Sequence, residues 1–385
     1  MERITYDLPS KWSWVPLGDV ATLLNGRAYK QAELLDSGPT PVLRVGNFFS
    51  NRSWYYSDLD LPEEKYCEEG DLLYAWSASF GPKIWKGPRA IYHYHIWKIL
   101  ISEQIDKKFL FYLLEKDSED IKAQGNGVGM FHATKGGMEK MLIPLPPMSE
   151  QKLIVEKLDA VLTRIDTAIE HLHSKLDLSK QLFDSILDEF FKLPECDAVP
   201  LTEVVDFIGG SQPPKSQFSD IQKEGYVRLI QIRDYKSDNY IVYVDSASTK
   251  KFCTKDDVMI GRYGPPVFQI LRGLDGAYNV ALMKAVPNED VLTKDYLFWF
   301  LQSPSIQNYV IGISQRAAGQ SGVNKKALEK YLIPVPSKTM QNNIVDKVGQ
   351  LVSKSRDLEA EVTAEIASLN QLKASILDSA FKGEL

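Results

Sequence analysis

The sequence predicts an α+β protein in which two pseudo-repeated mixed α/β units are separated by a pair of long antiparallel coiled-coil helices. Duplication is the first observation behind this expectation. VPLGDVATLLNG at 15–26 returns as VPLTEVVDFIGG at 199–210, an offset of 184, and MEKMLIPLPPMSEQKLIVEK at 138–157 returns as LEKYLIPVPSKTMQNNIVDK at 328–347. The second pair shares ten residues in twenty at an offset of 190, which persists without a gap to SILDEFFK at 185–192 and SILDSAFK at 375–382. The second observation is that each copy ends in a proline-free stretch whose apolar residues recur in steps of four and three, the mark of a helical seam. The third is connectivity. Only residues 192–198 join the first helix to the second mixed unit, so paired seams require antiparallel helices, with the mixed units expected at opposite ends about an approximate two-fold axis.

Taken in order, residues 1–148 form the first mixed unit, 149–193 the first long helix, 194–338 the second mixed unit and 339–385 the second helix. Strand-like runs rich in β-branched and aromatic residues lie at 41–48, 71–76 and 90–100, then at 226–235, 257–264 and 277–286. FLFYLLEK at 109–116 and YLFWFLQSP at 296–304 read as short buried helices. The first seam runs through Ile154, Leu158, Val161, Ile165, Ala168, Leu172, Leu182 and Ile186, interrupted at Lys175 and Ser179, and the neighbouring Val155, Leu162, Ile169, Leu176, Phe183 and Phe190 widen it. The second runs through Ile344, Val348, Leu351, Leu358, Val362, Leu369, Leu372 and Ile376, interrupted at Ser355 and Glu365. Ser149 after Pro144, Pro146 and Pro147 marks a helix start.

A chain of 385 residues, 44% hydrophobic and 25% charged, calls for at least two cores, so a single small domain is excluded. No stretch approaches the roughly 18 to 20 uninterrupted apolar residues of a membrane span, and the polar opening MERITYDLPSKW points to the cytoplasm. Cys67, Cys196 and Cys253 are too dispersed for a disulfide framework or zinc pairs. A net charge of −6 argues against a generally basic nucleic-acid coat while leaving room for local basic loops.

Catalytic motifs fail on inspection. GGSQPPKS at 209–216 approaches a phosphate loop, but Pro214 replaces its second glycine and has no N–H to offer a phosphate. GNGVG at 125–129 lacks the strand-before, helix-after context of a dinucleotide site. His93 and His95 could face one way as metal ligands, yet nothing nearby completes a site, and His132, His171 and His173 add none; packed or solvent-facing histidines are the expectation. Neither NPPY nor DPPF, the adenine-methyltransferase tetrapeptides, occurs.

The glycine-bounded loops instead interleave basic, amide and aromatic groups. In the first unit these are Arg27, Tyr29 and Lys30, Arg44 with Asn47, the segment from Ser77 to Lys83, and Asn126 through Phe131 to Lys135. In the second they are Ser211, Gln212 and Lys215, then Gln231, Arg233, Asp234 and Lys236, then Arg262 and Tyr263, then Gln320, Asn324, Lys325 and Lys326. Arginine and glutamine reach guanine and adenine edges bidentately, and lysine and serine suit phosphates. Strand alternation would send Gln231 and Arg233 to one side as base readers. A solvated loop surface, with its arginines paired to acids, is the competing expectation.

VPLGDVA, IPLPPMSEQKLIVEKLD opening a long helix, RLIQIRDY and a terminal SILDSAFKGEL together resemble the DNA-specificity subunit of type I restriction-modification enzymes, over essentially the whole chain. The second copy departs at Ser337, in place of a proline, and at Met340, where Glu150 stands in the first. The resemblance implies two target-recognition domains, each reading half of a split double-stranded DNA sequence, with the helices as a ruler. It implies a non-catalytic chain that directs adenine methylation by two modification subunits carrying S-adenosylmethionine, and restriction by subunits using ATP and magnesium. A helical scaffold with two protein-binding end domains is the rival reading.

Overall fold

The computed structural model describes residues 6–50, 52–77, 79–124, 134–192, 196–264, 266–314 and 322–385. The chain divides into two compact units, Met1–Leu172 with Thr363–Leu385, and His173–Val362. Both boundaries fall inside a long helix, so each unit owns part of both.

The first unit runs β1 (Ser13–Pro16), α1 (Leu17–Val20), β2 (Ala21–Asn25), β3 (Thr40–Leu43), α2 (Val45–Phe49), β4 (Tyr55–Ser57), β5 (Tyr66–Cys67), β6 (Leu72–Ser77), β7 (Ser79–Ile84), β8 (Ala90–Tyr92), β9 (Ile96–Ile101), α3 (Lys107–Gln124), α4 (Lys135–Glu139) and β10 (Leu142–Leu145) into α5 (Met148–Lys192). Two four-stranded sheets form, β2-β9-β6-β7 and β4-β3-β8-β5, beside a β1-β10 pair. Among the described residues the named strands of this unit pair antiparallel except β3 with β8, where Val42 faces Ile91 and Leu43 faces Tyr92.

The second unit repeats the plan with β11 (Ala198–Pro200), α6 (Leu201–Val204), β12 (Val205–Gly209), β13 (Tyr226–Ile230), β14 (Tyr243–Asp245), β15 (Phe252–Cys253), β16 (Val258–Gly261), β17 (Gln269–Leu271), β18 (Gly276–Tyr278), β19 (Leu282–Pro287), α7 (Lys294–Gln302), α8 (Pro304–Ser314), α9 (Lys325–Glu329) and β20 (Leu332–Pro334), leading into α10 (Lys338–Lys382). Its sheets are β12-β19-β16-β17, β14-β13-β18-β15 and β11-β20, again with one parallel pair, β13 with β18.

The run expected as a single strand over 90–100 is two strands in different sheets, broken by a turn in which Ile96 N–H donates to the His93 carbonyl at 2.9 Å. The run over 277–286 breaks likewise, with Leu282 N–H on the Asn279 carbonyl at 3.0 Å. Each turn carries the chain from one sheet to the other.

In the first unit Ile154, Leu158, Leu162 and Ile165 of α5 share a core with Leu377, Ala380 and Phe381 of α10, Phe109 and Leu113 of α3, and Leu23 and Trp97 of the sheet. In the second, Leu187 and Phe191 of α5 share a core with Ile344 and Val348 of α10, and Tyr296 and Phe300 of α7. In both, the start of one helix meets the end of the other, so the helices are antiparallel where they pack. The end contacts match. Phe381 stands edge-on to Phe109 and Phe191 edge-on to Tyr296, each with ring centres 5.2 Å apart and planes at 70°.

The buried stripe departs from the expected heptad line: Val161, Leu182 and Leu372 are exposed at 39%, 62% and 48%, while Leu162, one of the residues expected to widen that line, is buried, as are Leu187 and Leu377 beside it. The cause is geometric. Near its ends each helix faces a mixed core as well as its partner helix, so the buried face turns away from a strict 3.5-residue line.

A buried amide fastens each helix to the unit it leaves. Gln151 accepts from Asp106 N–H at 2.7 Å and donates to the carbonyls of Gln104 at 2.9 Å and Pro146 at 2.8 Å. Gln341 accepts from Thr293 N–H at 2.8 Å and donates to the carbonyls of Val291 at 2.7 Å and Pro336 at 2.9 Å. Both are fully buried. The repeat is less strict one residue earlier. Trp12 donates its indole N–H to Glu150 at 2.8 Å in the first unit, whereas the second copy carries Cys196 and Met340 at those places.

Candidate nucleic-acid interface

Five of the candidate residues, Arg27, Arg44, Ser211, Gln231 and Arg262, stand at or next to the positions that hold the broken turns where the parallel strands end. In the first unit the turn His93–His95 is held on three sides. Arg27 N–H donates to the Tyr92 carbonyl at 3.1 Å and Tyr94 N–H to the Arg27 carbonyl at 3.1 Å; His93 N–H donates to the Leu43 carbonyl at 2.9 Å, next to Arg44; and Trp76 N–H donates to the His95 carbonyl at 3.0 Å. In the second unit Ser211 N–H donates to the Tyr278 carbonyl at 3.2 Å, Asn279 N–H to the Ile230 carbonyl at 3.1 Å, beside Gln231, and Arg262 N–H to the Ala281 carbonyl at 2.8 Å. One backbone clamp is built twice with different side chains.

Glycine is required at the tightest point. A Cβ on Gly26 would stand 2.3 Å from the His93 carbonyl oxygen, and one on Gly210 would stand 2.0 Å from that of Asn279. Because the obstacle is backbone, Gly26→Ala and Gly210→Ala are each expected to cost about 1 to 3 kcal/mol. Thermal denaturation checks this, and unchanged melting would mean that the turn gives way without cost.

Around the first turn, Arg27 forms a two-point ion pair with Glu33 at 2.7 and 3.1 Å and lies over Tyr29, 5.3 Å from its ring centre. Tyr29 donates to the Tyr92 carbonyl at 3.3 Å, and burial pushes its phenol pKa up. Lys30 is exposed, and its backbone N–H is capped by Glu33. Arg44 is exposed over Tyr55, Asn47 donates to the carbonyls of Arg52 and Ser53, and Lys83 donates to the Phe48 carbonyl at 2.7 Å. Lys135 opens α4 and pairs with Glu139 at 3.6 Å. Asn126, Phe131 and His132, with the GNGVG stretch, lie outside the described residues.

Around the second turn, the Ser211 hydroxyl hydrogen-bonds that of Thr249 at 2.6 Å, while Gln212, Lys215 and Lys236 are exposed. Arg262 donates to the Val280 carbonyl at 3.3 Å and lies over the exposed Tyr263. Asn324 caps α9, Lys325 pairs with Glu329 at 3.5 Å, and Lys326 is exposed. Gln320 lies outside the described residues.

Two expectations change here. Gln231 and Arg233 do not alternate along a strand, because β13 ends at Ile230 and Ile232–Tyr235 winds into a 3-10 turn. Asp234 is no surface group: its side chain is fully buried and accepts from Gln231 N–H at 2.8 Å. Burial raises its pKa, against that hydrogen bond and the charges of Arg228 and Arg233. The acid three residues after the first turn residue satisfies an otherwise orphaned donor, which is capping chemistry. Arg233 stays exposed, over Tyr240 and donating to its carbonyl at 3.3 Å.

Sequence reasoning passed over Trp76, Tyr94, Asn279 and Val280. His93, which it set aside as a packed or solvent-facing histidine, lies at this turn too. Burial, then His95 and Arg44, bring its pKa down to about 4, which keeps the imidazole neutral near pH 7. Among the described residues no group of three or more His, Cys, Asp or Glu side chains is placed to hold a metal ion. None of their helices is long and apolar enough to cross a membrane.

The family model described as the type I restriction modification DNA specificity domain matches residues 9–176 and again 195–368. The chain is 27% identical to the type I restriction enzyme EcoBI specificity subunit of Escherichia coli, over 97% of this chain and 86% of that one. It is 24% identical to the MjaVIII specificity subunit of Methanocaldococcus jannaschii, over 98% and 94%. A solved chain from work on complex assembly and conformational transition of the type I R-M system superposes with a TM-score of 0.75 at 23% identity, covering 99% of this chain and 100% of that one. The HsdS subunit from Thermoanaerobacter tengcongensis gives 0.50 at 22% identity, covering 99% of each. These two likenesses concern the fold.

Proposed function

Because the chain belongs to the family of type I restriction modification DNA specificity domains, we propose that it supplies sequence recognition to a type I restriction-modification enzyme and leaves the chemistry to other subunits. The chain is a specificity subunit with two DNA recognition domains, and the observation that carries this is the match of one such domain to each repeat. A scaffold with protein-binding ends is not favoured.

In this reading each unit contacts half of a split duplex target through the loops around its clamped turn. Arg44, Gln231 and Arg233 are of the residue types that read base edges, and Lys30, Lys215 and Lys236 suit phosphates. Two modification subunits carry S-adenosylmethionine and methylate adenine, and restriction subunits use ATP and magnesium, all in the cytoplasm. Support for a non-catalytic chain comes from the missing methyltransferase tetrapeptides and the defective phosphate loop.

A salt titration of duplex binding tests the reading. Phosphate contact releases counterions, so log K should fall linearly with log salt, and Lys215→Ala should lower the slope by about 1 while weakening all sequences alike. Binding that ignores both salt and sequence would favour the scaffold. A changed sequence preference in Lys215→Ala would make that lysine a base reader.

A further inference from the structure

Each clamped turn lifts one apolar side chain into solvent at the same place. Tyr94 is 39% exposed and Val280 is 41% exposed. Both follow the residue anchored to the end of the neighbouring parallel strand, His93 or Asn279. Both also have their own carbonyl held by a side chain from the same position of the opposite sheet. The Trp76 indole donates to the Tyr94 carbonyl at 2.9 Å, and the Arg262 guanidinium donates to that of Val280 at 3.3 Å. Around this tip the repeats have diverged: Trp76 answers to Arg262, His93 to Asn279, His95 to Ala281 and Arg44 to Gln231. The tip carries apolar surface in both, the Tyr94 ring, which also packs on Trp76, His93 and His95, and the Val280 side chain. A single exposed apolar side chain is ordinary on any surface; the placement of one at the same clamped tip of both repeats, among residues that have diverged, is the feature that asks for an explanation.

Resting on the reading of the chain as a DNA specificity subunit, we propose that Tyr94 and Val280 are specificity-determining residues that sense the 5-methyl group of a thymine, one in each half of the target. Trp76 and Arg262 act as positioning residues that hold the two tips in register. The thymine methyl is the apolar feature of the major-groove edge, and it lies among the donors and acceptors that amide and guanidinium groups read. Arg44 and Gln231 start from the residues directly beside the anchored turns, so an apolar tip and a polar reader reach the groove together.

The test uses the full chain purified with its modification subunits. Wild type is first given a library of random duplexes, and the selected target is then resynthesised with single deoxyuridine-for-thymidine replacements, which remove one methyl each. One replacement in each half-site should weaken binding about 3- to 10-fold, the worth of one buried methyl. Val280→Ala should abolish the effect in one half-site and Tyr94→Ala in the other. Trp76→Phe, which keeps the ring but loses the donor, should broaden the base position that Tyr94→Ala broadens; uniform weakening instead would reduce Trp76 to a structural role. Deoxyuridine tolerated at every position, or effects that persist in the tip variants, would overturn the methyl contact, and with duplex kinking would mark the tips as wedges between base steps. Selection of no sequence at all would overturn the specificity reading itself. The wild-type replacement series needs no variant to fold.

Discussion

Replacing Gln341 by leucine is expected to cost the protein about 3 to 5 kcal/mol, because three backbone groups lose their partner at once. Thr293 N–H and the carbonyls of Val291 and Pro336 all bond to this one amide, which is fully buried. Leaving each buried group unsatisfied costs about 1 to 3 kcal/mol, and the gain from burying leucine offsets only part of the sum. Gln151→Leu should cost a similar amount through Asp106, Gln104 and Pro146. Glutamate at either place keeps the acceptor but points a carboxylate oxygen at two carbonyls, so it should not rescue. Hydrogen exchange is the suitable measurement, since protection should fall at the start of the adjoining long helix and in the turn before α3 or α7. A loss under about 1 kcal/mol would mean that water replaces the amide without difficulty.

The largest functional effect is expected from lengthening both long helices together. Seven residues inserted between 172 and 173 and seven between 362 and 363 preserve the heptad and fall at the boundaries of the compact units, so neither core is cut. Each helix gains about 10.5 Å, equivalent to about 3 base pairs of duplex. A target of the original spacing should then bind at least about 100-fold more weakly, and selection from duplexes with random spacers should return unchanged half-sites about 3 base pairs further apart. The added pairs also turn the far groove by roughly 100°, so the new optimum should be weaker than the parental one unless the DNA twists. Recovery of the original spacing would show that the helices do not set the distance, and altered half-site bases would show that the domains are not independent readers.

How much of this was readable follows from the kind of signal each feature leaves. The duplication and the long helices were legible because a gapless offset and a proline-bounded, proline-free apolar repeat are properties of the chain itself. The buried face of α5 was legible only to within one residue: Val161 and Leu162 are both apolar, and the mixed core decides between them. The turns at 93–95 and 279–281 left no mark, since AIYHYHIWKIL and AYNVALMKAV contain neither glycine nor proline and read as single strands. Tyr94 and Val280 were therefore missed, although most of the residues that surround them were named. Asp234 shows the converse. Its spacing from Gln231 fits a capping pattern, but the expected strand concealed it.

In the paired end contacts the two copies exchange helix ends. Phe191 lies 33 residues beyond Leu158, roughly 50 Å along a continuous helix, while Leu158 sits in the first core beside Phe109. A single copy of the repeat therefore cannot lay its own final phenylalanine on its own aromatic seat. In the present chain the other copy's helix fills that seat in each unit, Phe381 on Phe109 and Phe191 on Tyr296. A single copy standing alone would have to take that helix end from a second molecule, so the duplicated chain makes within itself a contact that two separate copies would have to make between them.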